Sequence, residues 1–221
     1  MKDSDMSVPS DTWPERGPGV ERIMWLADAI FAFSITLLAI DIRVPDIAPG
    51  DAATELPLAM TLLGPRIISF LITFWIVASY WIAFHRLFSY VVQYDRGLIR
   101  ACLLFLMFIV LLPFPADLVG RYPSQPLSLI TAALFFAATG VALDLIWVHA
   151  SRRHRLVEKE LSARLIRGLT LQYLVSPLVF IFSIPAFFFV FTYSPSAMPF
   201  VLILWFLILP LHSEIDRKYR Q

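Results

Sequence analysis

Six long apolar stretches run along the chain, and short polar or turn-rich segments separate them. A helix that crosses about 30 Å of hydrocarbon needs about 20 predominantly apolar residues, so stretches of this length predict transmembrane helices. The intervening segments hold the Pro, Gly, Asp and charged residues that end such helices. The predicted spans are residues 23–42, 66–91, 99–118, 127–149, 169–192 and 197–211.

Composition supports a membrane protein and excludes several other classes. Of the 221 residues 58% are hydrophobic and 16% are charged, with a mean hydropathy of +0.72, which is too apolar for an ordinary soluble domain. A formal charge of +1 argues against a nucleic-acid partner. The single cysteine, Cys102, excludes an internal disulfide, and we find no motif of a hydrolase, a nucleotide-binding enzyme or a metal site. We therefore expect neither an enzyme nor a cofactor.

Basic residues are unevenly distributed between the two sets of predicted loops. With a cytoplasmic N-terminus, 15 of the 18 Lys and Arg residues lie in cytoplasmic segments, as the positive-inside rule requires. We therefore predict a multi-pass protein of the plasma membrane with both termini in the cytoplasm. Residues 1–17 are expected to form a disordered tail, residues 18–212 a six-helix transmembrane domain, and residues 213–221 a short C-terminal tail.

Charged and titratable side chains inside predicted spans need partners or a function, because insertion of each costs at least about 2.5 kcal/mol. Asp28 lies in the first span and His85, after Trp81, lies at a similar depth in the second. With Arg22 at the cytoplasmic interface, these four residues predict a polar cluster between the first two spans. The cluster is either a structural clamp or, since histidine commonly serves as a proton shuttle, part of a proton relay.

The first span carries bulky apolar residues between its polar ends. Phe33, Leu37 and Ile40 follow the spacing i, i+4 and i+7 and therefore share one helix face. Periodicity alone favours a stripe that faces lipid or the protein core. The glycine-rich carbonyl filter of ordinary potassium channels is absent from the sequence.

Three segments, in order, resemble the bacterial branch of the transmembrane protein 175 family of potassium-permeable channels. They are RIMWLADAIFAFSITLLAIDIRVP, YWIAFHRLFSYV and LLFLMFIVLLPFPADLVGRYP, within residues 20–123. The family hallmark RxxxFSD retains Arg22 and Asp28 here, but Leu26 and Ala27 replace its Phe and Ser. The second half of the chain matches only in the number of spans and the layout of charge.

The resemblance implies an all-α polytopic channel that assembles as a homotetramer around a pore lined by the first helix. In such channels the constriction lies five, nine and twelve residues after the hallmark aspartate, at Phe33, Leu37 and Ile40 in this chain. Phe33 departs from the usual Ile or Leu. Thr36 either offers a hydroxyl beside the constriction or bonds to its own helix. The expected permeant ions are potassium and other monovalent cations, with weak to moderate selectivity over sodium.

Two other functions remain open at this point. One is a proton-coupled secondary transporter that uses Asp28 and His85. The other is a non-conducting membrane scaffold whose basic segment, residues 152–159, holds anionic lipid or a partner protein.

Overall fold

The computed structural model of the protein describes residues 18–40, 42–43, 46–194 and 205, and these residues are almost entirely helical. Two of the helices begin with a side-chain cap. The Asp95 carboxylate accepts a hydrogen bond from the Leu98 amide at 2.7 Å, and the Ser162 hydroxyl accepts one from the Leu165 amide at 3.2 Å. The helices are α1 (Pro18–Ile40), α2 (Ala52–Phe88), α3 (Arg96–Leu111), α4 (Pro113–Arg121), α5 (Pro126–Ser151) and α6 (Ala163–Tyr193), with a 3-10 turn at Arg152–His154.

Five of the predicted spans correspond to helices long and apolar enough to cross a membrane within the part of the chain that is described. The helices α3 and α4 together form one of these spans, Arg96–Arg121. They are separated at Leu112, because Pro113 has no amide hydrogen to continue the α3 ladder. The predicted sixth span, residues 197–211, lies outside the described residues except for Trp205.

Helix α2 begins 14 residues before the predicted start of the second span, at Ala52 instead of residue 66. Its 37 residues extend about 55 Å, well beyond the hydrocarbon thickness of a bilayer. Gly64 and Pro65 look like helix breakers in the sequence, yet the helix continues through them. The added segment carries exposed apolar side chains: Leu56, Leu58, Met60 and Leu62.

Successive spans alternate in direction, as the contacts at the two ends of the bundle indicate. At one end an antiparallel bridge joins Val91, after α2, to Val157, before α6. Gly19 of α1 approaches the ring of Tyr94 so closely at this end that a Cβ would overlap it. At the other end Gly120 of α4 packs against the backbone of Arg66.

The core is built from aromatic side chains and close helix contacts. Phe84 and Phe105 stack with their rings 5.5 Å apart, and Phe31 packs against both. Helix α3 packs against α1 on one side and α5 on the other, while α5 packs most extensively against α6. Trp205, the one described residue of the predicted sixth span, is buried against Phe180 and Phe187 of α6.

Candidate functional site

One face of α1 has no partner among the residues that the structure describes. Phe33 and Ile40 are 59% and 58% exposed, although both are large and apolar. Trp25 and Leu26 extend the same exposed face toward the start of the helix. A soluble protein would cover such a face, so it is available to lipid or to another subunit.

The opposite face of α1 is buried in the core. Ala27, Phe31 and Leu38 are each no more than 3% exposed, because α1 packs against α2, α3 and α4. Leu37 lies at the edge between the two faces and is partly buried. The Thr36 hydroxyl donates to the Phe33 carbonyl at 2.7 Å, so it is engaged by its own helix. Of the two uses predicted for Thr36, the structure contains this one.

Three of the four residues of the predicted polar cluster come together between α1 and α2. The indole Nε1 of Trp81 donates to Asp28 Oδ1 at 2.9 Å, and His85 Nε2 lies 3.2 Å from the same oxygen. The Trp81 and His85 rings pack with centroids 4.3 Å apart. His85 Nδ1 is 3.1 Å from the Trp81 carbonyl, so both ring nitrogens face an acceptor. A neutral imidazole can donate to only one of the two.

The hallmark positions around this cluster differ in their environment. Arg22 is exposed and makes no hydrogen bond or ion pair with any residue that the structure describes. Ala27 is fully buried at the position where the resemblance predicts Ser, so a hydroxyl here would need a buried partner. Leu26 is 47% exposed beside it. The cluster observed in the protomer is therefore Asp28, Trp81 and His85, hereafter the Asp28 cluster.

Two other acidic residues of the spans have contrasting surroundings. Asp117 of α4 pairs with Arg121 one turn later, at 2.7 Å. Asp144 of α5 is 8% exposed, and neither carboxylate oxygen has a hydrogen-bond partner among the described residues. Asp144 is thus buried at a helix interface without the polar contact that such a position normally requires.

A second polar cluster, centred on Asp95, was not predicted from the sequence. Asp95 caps α3, and its carboxylate also contacts His149 Nε2 at 2.9 Å and Arg155 Nη2 at 2.5 Å. The hydrogen bond from the Leu98 amide, followed by the two basic partners, lowers the pKa of Asp95 against an opposing effect of desolvation. A sequence signal existed only for the cap, since Asp is favoured immediately before a helix.

Comparison with known proteins supports the resemblance found in the sequence. A family described as endosomal/lysosomal potassium channel TMEM175 matches residues 22–113. A protein of Chamaesiphon minutus named potassium channel Cha6605_3372 is 29% identical over 71% of this chain and 78% of its own length. Potassium channel B446_29190 of Streptomyces collinus is 28% identical over 71% and 77%. The human protein named endosomal/lysosomal proton channel TMEM175 is 27% identical, over 34% of its own length.

The fold agrees with the sequence matches. The crystal structure of a protein titled a lysosomal potassium-selective channel TMEM175 homolog, from Chamaesiphon minutus, aligns with a TM-score of 0.71 and 25% identity. The alignment covers 90% of this chain and 98% of the other, so it includes the second half, where sequence motifs are weak. The family match, the relatives and the fold all show similarity to the TMEM175 family, whose members are ion channels and not enzymes.

Proposed function

We propose that this chain forms a homotetrameric, potassium-permeable cation channel whose pore is lined by α1. The observation that carries the proposal is the apolar face of α1 that no described residue covers, where Phe33 and Ile40 remain more than half exposed. In an assembly of four copies around one axis, this face of each α1 would line a central pore. The relatives named potassium channels, and the homolog titled potassium-selective, support conduction of potassium.

The proposed mechanism is control of wetting and ion dehydration by a hydrophobic neck. Phe33, Leu37 and Ile40 form the constriction, and none of them offers a ligand to a cation. Potassium holds its water less tightly than sodium and so crosses such a neck at lower cost. Selectivity obtained in this way is weak to moderate. The faces of four phenyl rings at Phe33 would add cation–π attraction.

The Asp28 cluster has a supporting role in this proposal. It ties the inner half of α1 to α2 through a side-chain hydrogen bond from Trp81, and it thereby orients the face that carries Phe33. Arg22, exposed on the pore-facing side of the same helix end, is proposed to complete the clamp in the assembled channel. We propose that the protein lies in the plasma membrane with both termini in the cytoplasm, because most of its basic residues then lie in cytoplasmic segments.

Potassium flux in proteoliposomes tests the pore assignment. Substitution of Phe33, Leu37 or Ile40 by Asn hydrates the neck, and a barrier lowered by about 1.4 kcal/mol raises flux about tenfold. Selectivity for potassium over sodium should fall at the same time. The matched control is Leu134→Asn on α5, because Leu134 is 52% exposed and α5 is not among the helices that pack closely on α1. Unchanged flux in all three pore variants would exclude α1 as the ion path.

A second candidate, a proton-coupled secondary transporter, draws support from the 3.2 Å contact between His85 and Asp28. In that case the wild-type protein should show transport that saturates with substrate, and replacement of His85 by Ala should abolish this transport. A channel instead gives unitary current steps, and His85→Ala should change its open probability without removing conduction. Single-channel recording with potassium on one side and sodium on the other distinguishes the two functions.

A further inference from the structure

A basic cavity lies at the end of α5, on the same end of the bundle as the Val91–Val157 bridge. It has a volume of about 180 Å³, and its lining residues are His149, Arg152, Arg153 and Arg155. All four side chains are basic or potentially basic. No other cavity found between the described helices is lined only by such residues.

The positive charge of this basic cavity is only partly neutralised. His149 and Arg155 both contact one carboxylate, that of Asp95. Arg152 and Arg153 are exposed and make no hydrogen bond or ion pair through their side chains with the residues that are described. Among the described residues, only one of the three guanidinium groups, that of Arg155, is paired with a carboxylate, so the cavity keeps an excess of positive charge that attracts a further anion.

The backbone that carries these arginines is held in an unusual conformation. Arg153 and His154 have φ angles of 57° and 51°, in the left-handed region that residues other than Gly seldom adopt. Two contacts fix the turn, from His154 Nε2 to the Leu161 carbonyl at 3.1 Å and from the Leu156 amide to the Ala150 carbonyl at 3.3 Å. Such strain persists only where neighbouring structure enforces it. The arginines are thus presented by a constrained turn.

We propose that the basic cavity binds the phosphate group of an anionic ligand, with Arg152 and Arg153 as its principal contacts. Guanidinium groups match phosphate oxygens in geometry and bind them with paired hydrogen bonds. At about 30 Å³ per water, the cavity holds a phosphate with part of its hydration shell. Because α5 is a membrane-length helix and the cavity lies at its end, a phospholipid headgroup is the favoured source of that phosphate. The inference does not depend on ion conduction.

Native mass spectrometry of the full-length protein, released from nanodiscs, tests the proposal. The probes are phosphatidic acid and phosphatidylcholine with the same acyl chains. Wild-type protein should retain phosphatidic acid preferentially. The double variant R152Q/R153Q should bind it about tenfold to thirtyfold more weakly, since two charges near the surface are lost. R152K/R153K keeps the charge but loses the paired guanidinium hydrogen bonds, so it should bind phosphatidic acid more weakly than wild type and more tightly than R152Q/R153Q. The matched control is R167Q, which removes an exposed arginine from α6 that does not line the cavity.

Competition identifies the source of the phosphate. Displacement of phosphatidic acid by millimolar inorganic phosphate would support a site for the phosphate group from either source, and persistence of binding would support a headgroup site. Equal binding of both lipids, wild-type binding in R152Q/R153Q, or an equal loss in R167Q would overturn the proposal. If the double variant does not fold, the single variants R152Q and R153N serve instead, because Asn tolerates the left-handed conformation at position 153.

Discussion

At the scale of single residues, the sequence predicted two of the contacts of Asp28 correctly but not the position of Arg22. A carboxylate in the middle of an apolar span indicates that a partner exists, and the depth of Trp81 and His85 in the next span identified two candidates. The structure brings those two to 2.9 Å and 3.2 Å of Asp28 Oδ1. It leaves Arg22 exposed, because α1 turns that residue toward the unpartnered face.

Replacement of Trp81 by Phe tests the hydrogen bond to Asp28. The variant keeps an aromatic ring but loses the Nε1 donor, and we expect a loss of about 1 kcal/mol in unfolding free energy. The thermal unfolding of purified protein in detergent measures this loss. Trp75→Phe is the control, since Trp75 is on the same helix, is 51% exposed and makes no side-chain hydrogen bond that the structure describes. Equal shifts in the two variants would contradict the role of the bond.

Asp95 predicts a pH dependence of stability outside the membrane-spanning segments. The Leu98 amide, His149 and Arg155 lower its pKa in the folded protein below the ordinary value near 4. The folded state then binds fewer protons than the unfolded state at acid pH. The stability from this carboxylate is fully present above the unfolded pKa, and it is lost as pH falls through the folded pKa.

Asp95→Asn should therefore destabilise the protein most near neutral pH, by about 0.2 to 1 kcal/mol for a partly exposed ion pair. Asn retains an oxygen for the Leu98 amide, so the cap itself is preserved. Melting temperatures of variant and wild type should converge toward pH 3. Asp51→Asn is the control, because Asp51 precedes α2 without a side-chain cap bond. A constant difference across pH would exclude titration of Asp95 as the cause.

Individual helices follow the apolar pattern where proline and charge mark their ends, and depart from it elsewhere. Pro113 separates α3 from α4 near the end of the predicted third span. The predicted second span starts at residue 66, directly after Gly64 and Pro65, whereas α2 begins at Ala52. A proline within a helix removes one amide donor, and in α2 the rest of the ladder continues on both sides of it.

Close packing of α5 against α6 depends on Gly140. A Cβ at this position would come within 2.8 Å of Pro177 Cδ, a ring atom that cannot move aside, and 3.3 Å from the Tyr80 hydroxyl. Small residues at membrane helix interfaces allow such close approach of backbones. Gly140→Ala should therefore destabilise the fold by about 1 to 3 kcal/mol through overpacking.

Gly64→Ala provides the matched control for Gly140→Ala. A Cβ at Gly64 meets nothing within 4 Å, and Ala has a higher helix propensity than Gly. We expect Gly64→Ala to leave the melting temperature unchanged or to raise it. A similar decrease for both variants would show that helix propensity or general perturbation, and not the α5–α6 contact, determines the result.

At the scale of the whole molecule, the exposed apolar face of α1 is the feature that the contacts between described residues do not explain. Cysteine substitution tests whether several copies of this face meet at one axis. Cys102 is buried and is the only cysteine, so Cys102→Ala gives a background without thiols. In that background Phe33→Cys should make potassium flux sensitive to micromolar Cd²⁺, because converging thiolates bind a soft metal ion.

The control for metal block is Leu134→Cys in the same background, on the exposed side of α5. Its flux should be insensitive to Cd²⁺. Block that appears in both variants, or in neither, would contradict convergence of Phe33 at a common axis. Cross-linking of Phe33→Cys to dimers under oxidation gives an independent measure of the same proximity.

The sequence by itself determined that this is an all-α membrane protein, and it located five of the described spans to within a few residues at most ends. The physical reason is that a backbone in hydrocarbon must satisfy its own hydrogen bonds, so long apolar runs leave the helix as the available structure. Only the tertiary structure decided which polar side chains meet. Asp28 and Trp81 are 53 residues apart, and Asp95 and His149 are 54 apart. Their contact depends on how the helices pack and turn, which local pattern does not encode.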